Sequence, residues 1–227
     1  AYASNLYRLI NKKKQIITND IYAEYAKLIQ NSYRDVNIAF ANEVDLMLRK
    51  NNIKSDKIIN IANEHPRVNI LNPKIGVGGH CIPIDPWFLI NQDRKNTKII
   101  KYARKINSDR PKFISSFLYN KILKQKNVKK ICFCGLSYKE NSSDLRESPS
   151  LELVKIFKKR YKKFDIRVHD PSINKNIKID GNLLKYIKYN NILKWSDMVI
   201  ISVHHDIYLK QKKFIKSTKI LKIPNDL

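Results

Sequence analysis

Cys81 follows directly on Gly76-Val77-Gly78-Gly79-His80, a run that holds three of the chain's five glycines, and Asp85 stands four residues further on, between Pro83 and Pro86. Glycine reaches backbone angles closed to other residues and lets a ligand approach the main chain. The prolines fix φ on the far side and restrict the residues before them. A thiol on so locked a bend, with a carboxylate close in sequence, is mounted as a nucleophile with a proton-handling partner. Taken alone, the same residues also describe a tight turn around a small buried cysteine, because free cysteine mostly behaves as a small hydrophobe.

The elements that would position this bend are legible on either side. From Ala23 to Glu43 apolar residues recur at three and four, which predicts a helix capped by Thr18, Asn19 or Asp20. Lys27, Asn31 and Arg34 fall on one face of it, at spacings that make side chains neighbours. Such a stripe either points into a site or is simply solvated. Further on, Lys129–Lys139 reads as a buried strand broken at Gly135, followed by a loop over 141–150 and an amphipathic helix from Leu151 to Tyr161. Phe164–Pro171 and Ser196–Val203 repeat the strand pattern, the latter with the continuous apolar centre that parallel sheets bury on both faces. This alternation predicts a doubly wound α/β unit, whose ligands bind beyond the carboxyl ends of the strands, where Lys139, Asp144 and Arg146 lie.

A length of 227 residues suits one or two domains with a sizeable core. No apolar run has membrane-spanning length, and residues 1–10 lack the charged start and cleavage site of an export signal. A cytoplasmic chain without membrane partners is therefore expected. Three cysteines fit a reducing compartment. Cys132 and Cys134 share one side of a strand and read as core thiols, and Cys-x-Cys with no partner pair nearby is a poor metal pattern, so no metal site is expected. The net charge of +25 raises nucleic acid as a partner. The lysines are spread along the chain among many Ile and Asn, however, and no nucleic-acid-binding signature accompanies them, so specific nucleic-acid binding is not expected. No Gly-x-Gly-x-x-Gly dinucleotide fingerprint occurs.

The stretch from His65 through Leu89, the Lys27-Asn31 helix and the Tyr138-Lys139 and Asp144-x-Arg146-Glu147-Ser148 pieces resemble the UDP-glucose/GDP-mannose dehydrogenase family of nucleotide-sugar 6-dehydrogenases. His80 and Asp85-Pro86-Trp87 make the form nearest to its UDP-N-acetylmannosamine branch. UDP-glucose and UDP-N-acetylglucosamine remain the alternatives for the substrate, and an inactive UDP-sugar-binding remnant the alternative for the activity. The resemblance implies a helical central dimerisation domain over 18–127, a UDP-sugar-binding domain with a doubly wound parallel sheet over 128–227, and over 1–17 the end of a preceding NAD-binding domain.

It also implies the chemistry: NAD-dependent double oxidation of the sugar C6 alcohol to a carboxylate, for surface-polysaccharide precursors. Cys81 would be the nucleophile, with Lys27, Asn31 and Asp85 as further catalytic residues. Arg67, Asn72, Lys74, Gly76, Gly78 and Lys139 would bind substrate, Arg67 across the interface of a homodimer. Arg146, with Cys81, would contact the cofactor, while Arg34 and Asn37 would only position. Without the NAD-binding domain the chain alone is expected to be inactive. Its last residues, Ile220–Leu227, are expected to stop where a further strand belongs.

Overall fold

The computed structural model describes residues 2–179, 181–210 and 220–225. After α1 (Tyr2–Ile10), the Asn19 side chain accepts a 2.9 Å bond from the Tyr22 N–H and caps the long helix α2 (Asp20–Lys50). This satisfies one of the amide groups that a helix start leaves unpaired. The inward stripe of α2 runs Asn31, Asp35, Ile38, Asn42, Asp45, at helix-packing spacing but mostly polar. It packs on α4 (Asp85–Gln92) and on α5 (Lys98–Leu123), with the short α3 (Ser55–Ala62) between α2 and α4 in the chain. Pro111 lies inside α5, where the missing N–H leaves the Asn107 carbonyl without its helical donor.

The second layer is a six-stranded sheet in the order β3-β4-β2-β1-β5-β6. Its strands are β1 (Lys130–Cys134), β2 (Asp165–His169), β3 (Ile177–Ile179), β4 (Asn182–Tyr186), β5 (Met198–Ile201) and β6 (Ile220–Lys222), joined by α6 (Pro149–Arg160), α7 (Ile192–Trp195) and α8 (Asp206–Leu209). Side chains alternate across it. Ile131 and Phe133 join Val154 and Phe157 of α6 and Ile114, Leu118 and Ile122 of α5 in the main core. Cys132 and Cys134, their sulfurs 3.7 Å apart, face the other way into a smaller core with Val199, Ile201 and Tyr208. α5 links the two layers, packing on α2 and α4 while Ile114, Leu118 and Ile122 enter the sheet's core.

Two details depart from the sequence reading. The sheet is parallel except at one edge, where β3 pairs antiparallel with β4, and Gly181 takes a left-handed φ of +75° between them. Ile220–Lys222 itself forms the other edge strand, parallel to β5. Among the described residues no helix is long and apolar enough to cross a membrane, and no group of three or more His, Cys, Asp and Glu could hold a metal ion.

Candidate active site

The loop that carries Cys81 is held at both ends by the buried polar seam between α2 and α5. The Asn42 side chain accepts from Lys74 N–H at 2.8 Å, and Arg110 Nε donates to the Lys74 carbonyl at 3.1 Å. At the far end Arg104 donates to the Ile82 carbonyl at 3.3 Å and to the Asp35 carboxylate at 2.8 Å. Asn107 bridges the seam, donating to Asp35 at 2.8 Å and accepting from Asn42 at 2.9 Å. Asp45 is gripped by Arg110, Arg49 and Ser55. Burial alone would raise the Asp45 pKa, but hydrogen bonds from Arg49 and Ser55 and the charge and hydrogen bond of Arg110 together carry it below its ordinary value. Buried charges of this kind persist only when paired. The sequence reading missed this seam. Its signal was the recurrence of Asp and Asn at 35, 42 and 45, answered by Arg104, Asn107 and Arg110 three apart.

The same structure brings three of the expected residues together. Asn31, buried beneath α4, donates to Asp85 Oδ2 at 2.6 Å across 54 residues of chain. Asp85 N–H returns to the Cys81 carbonyl at 2.8 Å, so the first turn of α4 fixes the backbone of the exposed Cys81. Lys27 is one turn before Asn31 on α2 and exposed, as is Arg34; Asn37 donates back to the Tyr33 carbonyl. A thiol whose backbone is fixed beside a carboxylate that an amide holds in place is the kind of group that can be deprotonated and add to a carbonyl.

The glycines have a different role from an open ligand cradle. A Cβ on Gly78 would stand 2.6 Å from the Glu147 carbonyl, 2.7 Å from Pro149 and 2.8 Å from Tyr138. One on Gly79, whose φ is +92°, would stand 2.8 Å from the Tyr138 ring. The loop after β1 therefore lies directly on the glycine run, against the Cα sides of Gly78 and Gly79, while Gly78 itself stays half-buried. In that loop Asp144 takes two 2.9 Å bonds from the Arg146 guanidinium and one of 3.1 Å with His80. Arg146 above all, and then His80, hold the Asp144 carboxyl far below the usual carboxylate range.

A cleft of ≈1140 Å³ opens between the helical layer and the carboxyl ends of β1 and β5. Asn72, Lys74, Gly76 and Lys139 line it, joined by Lys54 and Lys121 from the helical side. Cys81, Arg67 and Gly78 do not. Arg67 sits on the exposed turn after α3. The Lys139 ammonium rests 5.5 Å from the Tyr138 ring centre, and the backbone around it is pinned: Asn141 N–H donates to His205 Nδ1, whose other nitrogen is 3.0 Å from Ser137 Oγ, which in turn donates to the Lys139 carbonyl. The cleft thus presents lysines to a ligand at the end of the sheet where doubly wound folds bind theirs.

Comparison with known proteins gives this geometry a family. Residues 22–109 match the central domain of the UDP-glucose/GDP-mannose dehydrogenase family, and residues 132–224 match its UDP binding domain. The chain belongs to that family. It is 39% identical over 222 residues to the UDP-N-acetyl-D-mannosamine dehydrogenase of Campylobacter jejuni, covering 97% of this chain and 53% of that protein. It is 36% identical over 208 residues to the NDP-N-acetyl-D-galactosaminuronic acid dehydrogenase of Ralstonia solanacearum, covering 92% and 48%. The solved UDP-D-ManNAc dehydrogenase of Pyrococcus horikoshii superposes with a TM-score of 0.79 at 31% identity, over 97% of this chain and 51% of that one. The chain spans about half the length of the curated relatives it matches.

Proposed function

We propose that this chain carries the sugar-nucleotide site and the reacting thiol of an NAD-dependent 6-dehydrogenase that oxidises UDP-N-acetyl-D-mannosamine to the uronic acid, for surface-polysaccharide synthesis in the cytoplasm. One observation carries the reading: a single loop runs from the lysine-lined cleft, at Lys74 and Gly76, to the exposed Cys81 beside Asn31 and Asp85. A nucleotide held at one end of that loop presents its sugar at the other. Lys139 and Lys74 meet the diphosphate as point charges. Asn72, Lys74 and Gly76 line the sugar-nucleotide with main-chain groups, and Arg67 reaches across to a second copy.

NAD, when bound, accepts a hydride at each of the two oxidations. The residues present fit only its edge, because Gly135 after β1 has no room for a phosphate: a Cβ there would stand 2.6 Å from the Val203 carbonyl. Arg146, exposed beside the Cys81 face, is the group that would touch NAD, and the rest of its pocket falls to the half of the relatives that this chain does not span. Cys81 thiolate adds to the C6 aldehyde to give, once its oxyanion takes a proton, a thiohemiacetal; loss of hydride from that carbon and of the proton from its hydroxyl leaves a thioester. Water, deprotonated toward Asp85, hydrolyses it and frees the thiolate. Lys27 and Asn31 hold the oxyanion of each tetrahedral species.

The central part (18–127), the UDP-binding part (128–227) and the segment 1–17 are read as separate units of the longer protein. Homodimerisation is read on α2, which leaves Tyr22, Ile29, Tyr33 and Phe40 exposed. An NDP-N-acetyl-D-galactosamine is the second substrate reading, favoured by the NDP-N-acetyl-D-galactosaminuronic acid dehydrogenase of Ralstonia. Titration of this chain with UDP tests the cleft: UDP should bind, and Lys139→Ala should weaken it about tenfold, the worth of one charge-assisted hydrogen bond. Absence of binding, or binding indifferent to Lys139, would contradict the assignment.

A further inference from the structure

His80 precedes Cys81 in the chain, and its ring and the neighbouring Gly79 amide both bond across to the loop after β1. Its Nε2 is 3.1 Å from Asp144 Oδ2, and the Gly79 N–H donates to the Arg146 carbonyl at 3.3 Å. Gly79 itself is packed beneath the Tyr138 ring. We propose that His80 is a positioning residue for Cys81: through Asp144 it docks the glycine loop on the loop after β1, so that presentation of the thiol follows the charge on the imidazole.

The bond has one fixed and one switchable end. Asp144, held ionised chiefly by Arg146, remains an acceptor across the whole working range. Histidine is the side chain that gains and loses charge around neutrality, and a charged donor makes the stronger bond. An imidazolium at this position donates a charge-assisted bond to Asp144 and a neutral imidazole a weaker one, so how tightly the loop is docked depends on the charge carried there. The other ionisable groups around His80 are Tyr138, Arg146 and Glu147 on the facing loop, Cys81 and Asp85 on its own segment, and Arg104 of α5, which holds Ile82 and feels Glu147. Asp144 is the one within bonding distance of the imidazole.

The functional weight of this inference rests on Cys81 as the reacting thiol, but its test requires no turnover and so fails or succeeds separately. Two quantities are measured on the chain itself from about pH 5.5 to about pH 8.5, spanning histidine titration. They are hydrogen-exchange protection at the Gly79 amide and the iodoacetamide alkylation rate of Cys81 per unit thiolate. Cys132 and Cys134 are 0% exposed, so labelling of the folded chain reports Cys81. Gly79 protection should fall about two- to fivefold as pH rises, the range for a partly exposed ion pair.

His80→Gln, whose amide nitrogen reaches the same acceptor without changing charge, should keep the loop docked and make the profile flat. His80→Ala and Asp144→Asn should both be flat and poorly protected. Alkylation should follow the same order. A Gln variant with the wild-type pH profile, an Ala variant with wild-type protection, or an alkylation rate indifferent to residue 80 would overturn the proposal.

Discussion

Gly78→Ala should separate the Cys81 loop from the loop after β1, and the cost can be worked from the contacts. The φ of Gly78 is not left-handed, so an added methyl meets sterics alone. It would stand 2.6 Å from the Glu147 carbonyl, where ordinary contact begins at 3.4 Å, so the two backbones must part by about 0.8 Å. Pro149 and the Tyr138 Cβ, at 2.7 and 2.8 Å, block the alternative directions, and none of the three is the end of a flexible side chain. Overpacking of this kind costs about 1–3 kcal/mol. Parting the loops also lengthens the 3.3 Å bond from Gly79 to Arg146, which adds about 1 kcal/mol. The sum is about 2–4 kcal/mol. Gly181→Ala is the control, since its φ is +75° but no atom lies within 4 Å, leaving the backbone penalty of about 1–2 kcal/mol. Urea unfolding of the three proteins gives both differences, and Gly79 amide exchange shows whether the loops have parted. A Gly78→Ala protein within about 0.5 kcal/mol of the parent, or one less affected than Gly181→Ala, would refute the claim that close approach is what this glycine serves.

Replacing Arg110 by Met removes a partner of the buried Asp45 and should cost about 3–5 kcal/mol, near the lower end because Arg49 and Ser55 remain. The same change should slow Cys81 alkylation per unit thiolate, since Arg110 also holds the Lys74 carbonyl at the start of the loop that presents the thiol. His169, buried against Tyr208, has its pKa pushed down to about 4, foremost by burial, so below about pH 6.5 the unfolded chain takes up a proton that the folded chain refuses. Stability should therefore decline as pH falls, by about 2 kcal/mol between about pH 7 and about pH 5, which thermal unfolding reads as a drop of about 4–8 °C in Tm. His169→Gln should remove most of that slope.

Legibility in the sequence divided along physical lines. The helix start within Thr18–Asp20, the bend at Cys81 and the buried β1 and β5 were readable because each is written in local residue types: a capping side chain, a glycine run, a continuous apolar stretch. The antiparallel β3–β4 edge also had a local signal, the Asp180-Gly181 pair between short apolar runs, which favours a hairpin turn. The α2–α5 seam was harder, because polar residues at core spacing look like a solvated face until the partner helix is known. Nor could residue type alone distinguish a glycine that admits a ligand from one that admits Tyr138 and Pro149. That distinction depends on residues far along the chain, Tyr138 and Pro149, meeting Gly78 and Gly79 in space.

The central claim is that Cys81 captures the sugar aldehyde. Its most direct test follows UDP-N-acetyl-D-mannosamine and NAD with the chain completed to the length of its relatives, counting NADH and uronic acid together. The parent should yield two NADH for each acid formed, and Cys81→Ser should yield no acid. Acid formation by Cys81→Ser at near the parent's rate would contradict the account.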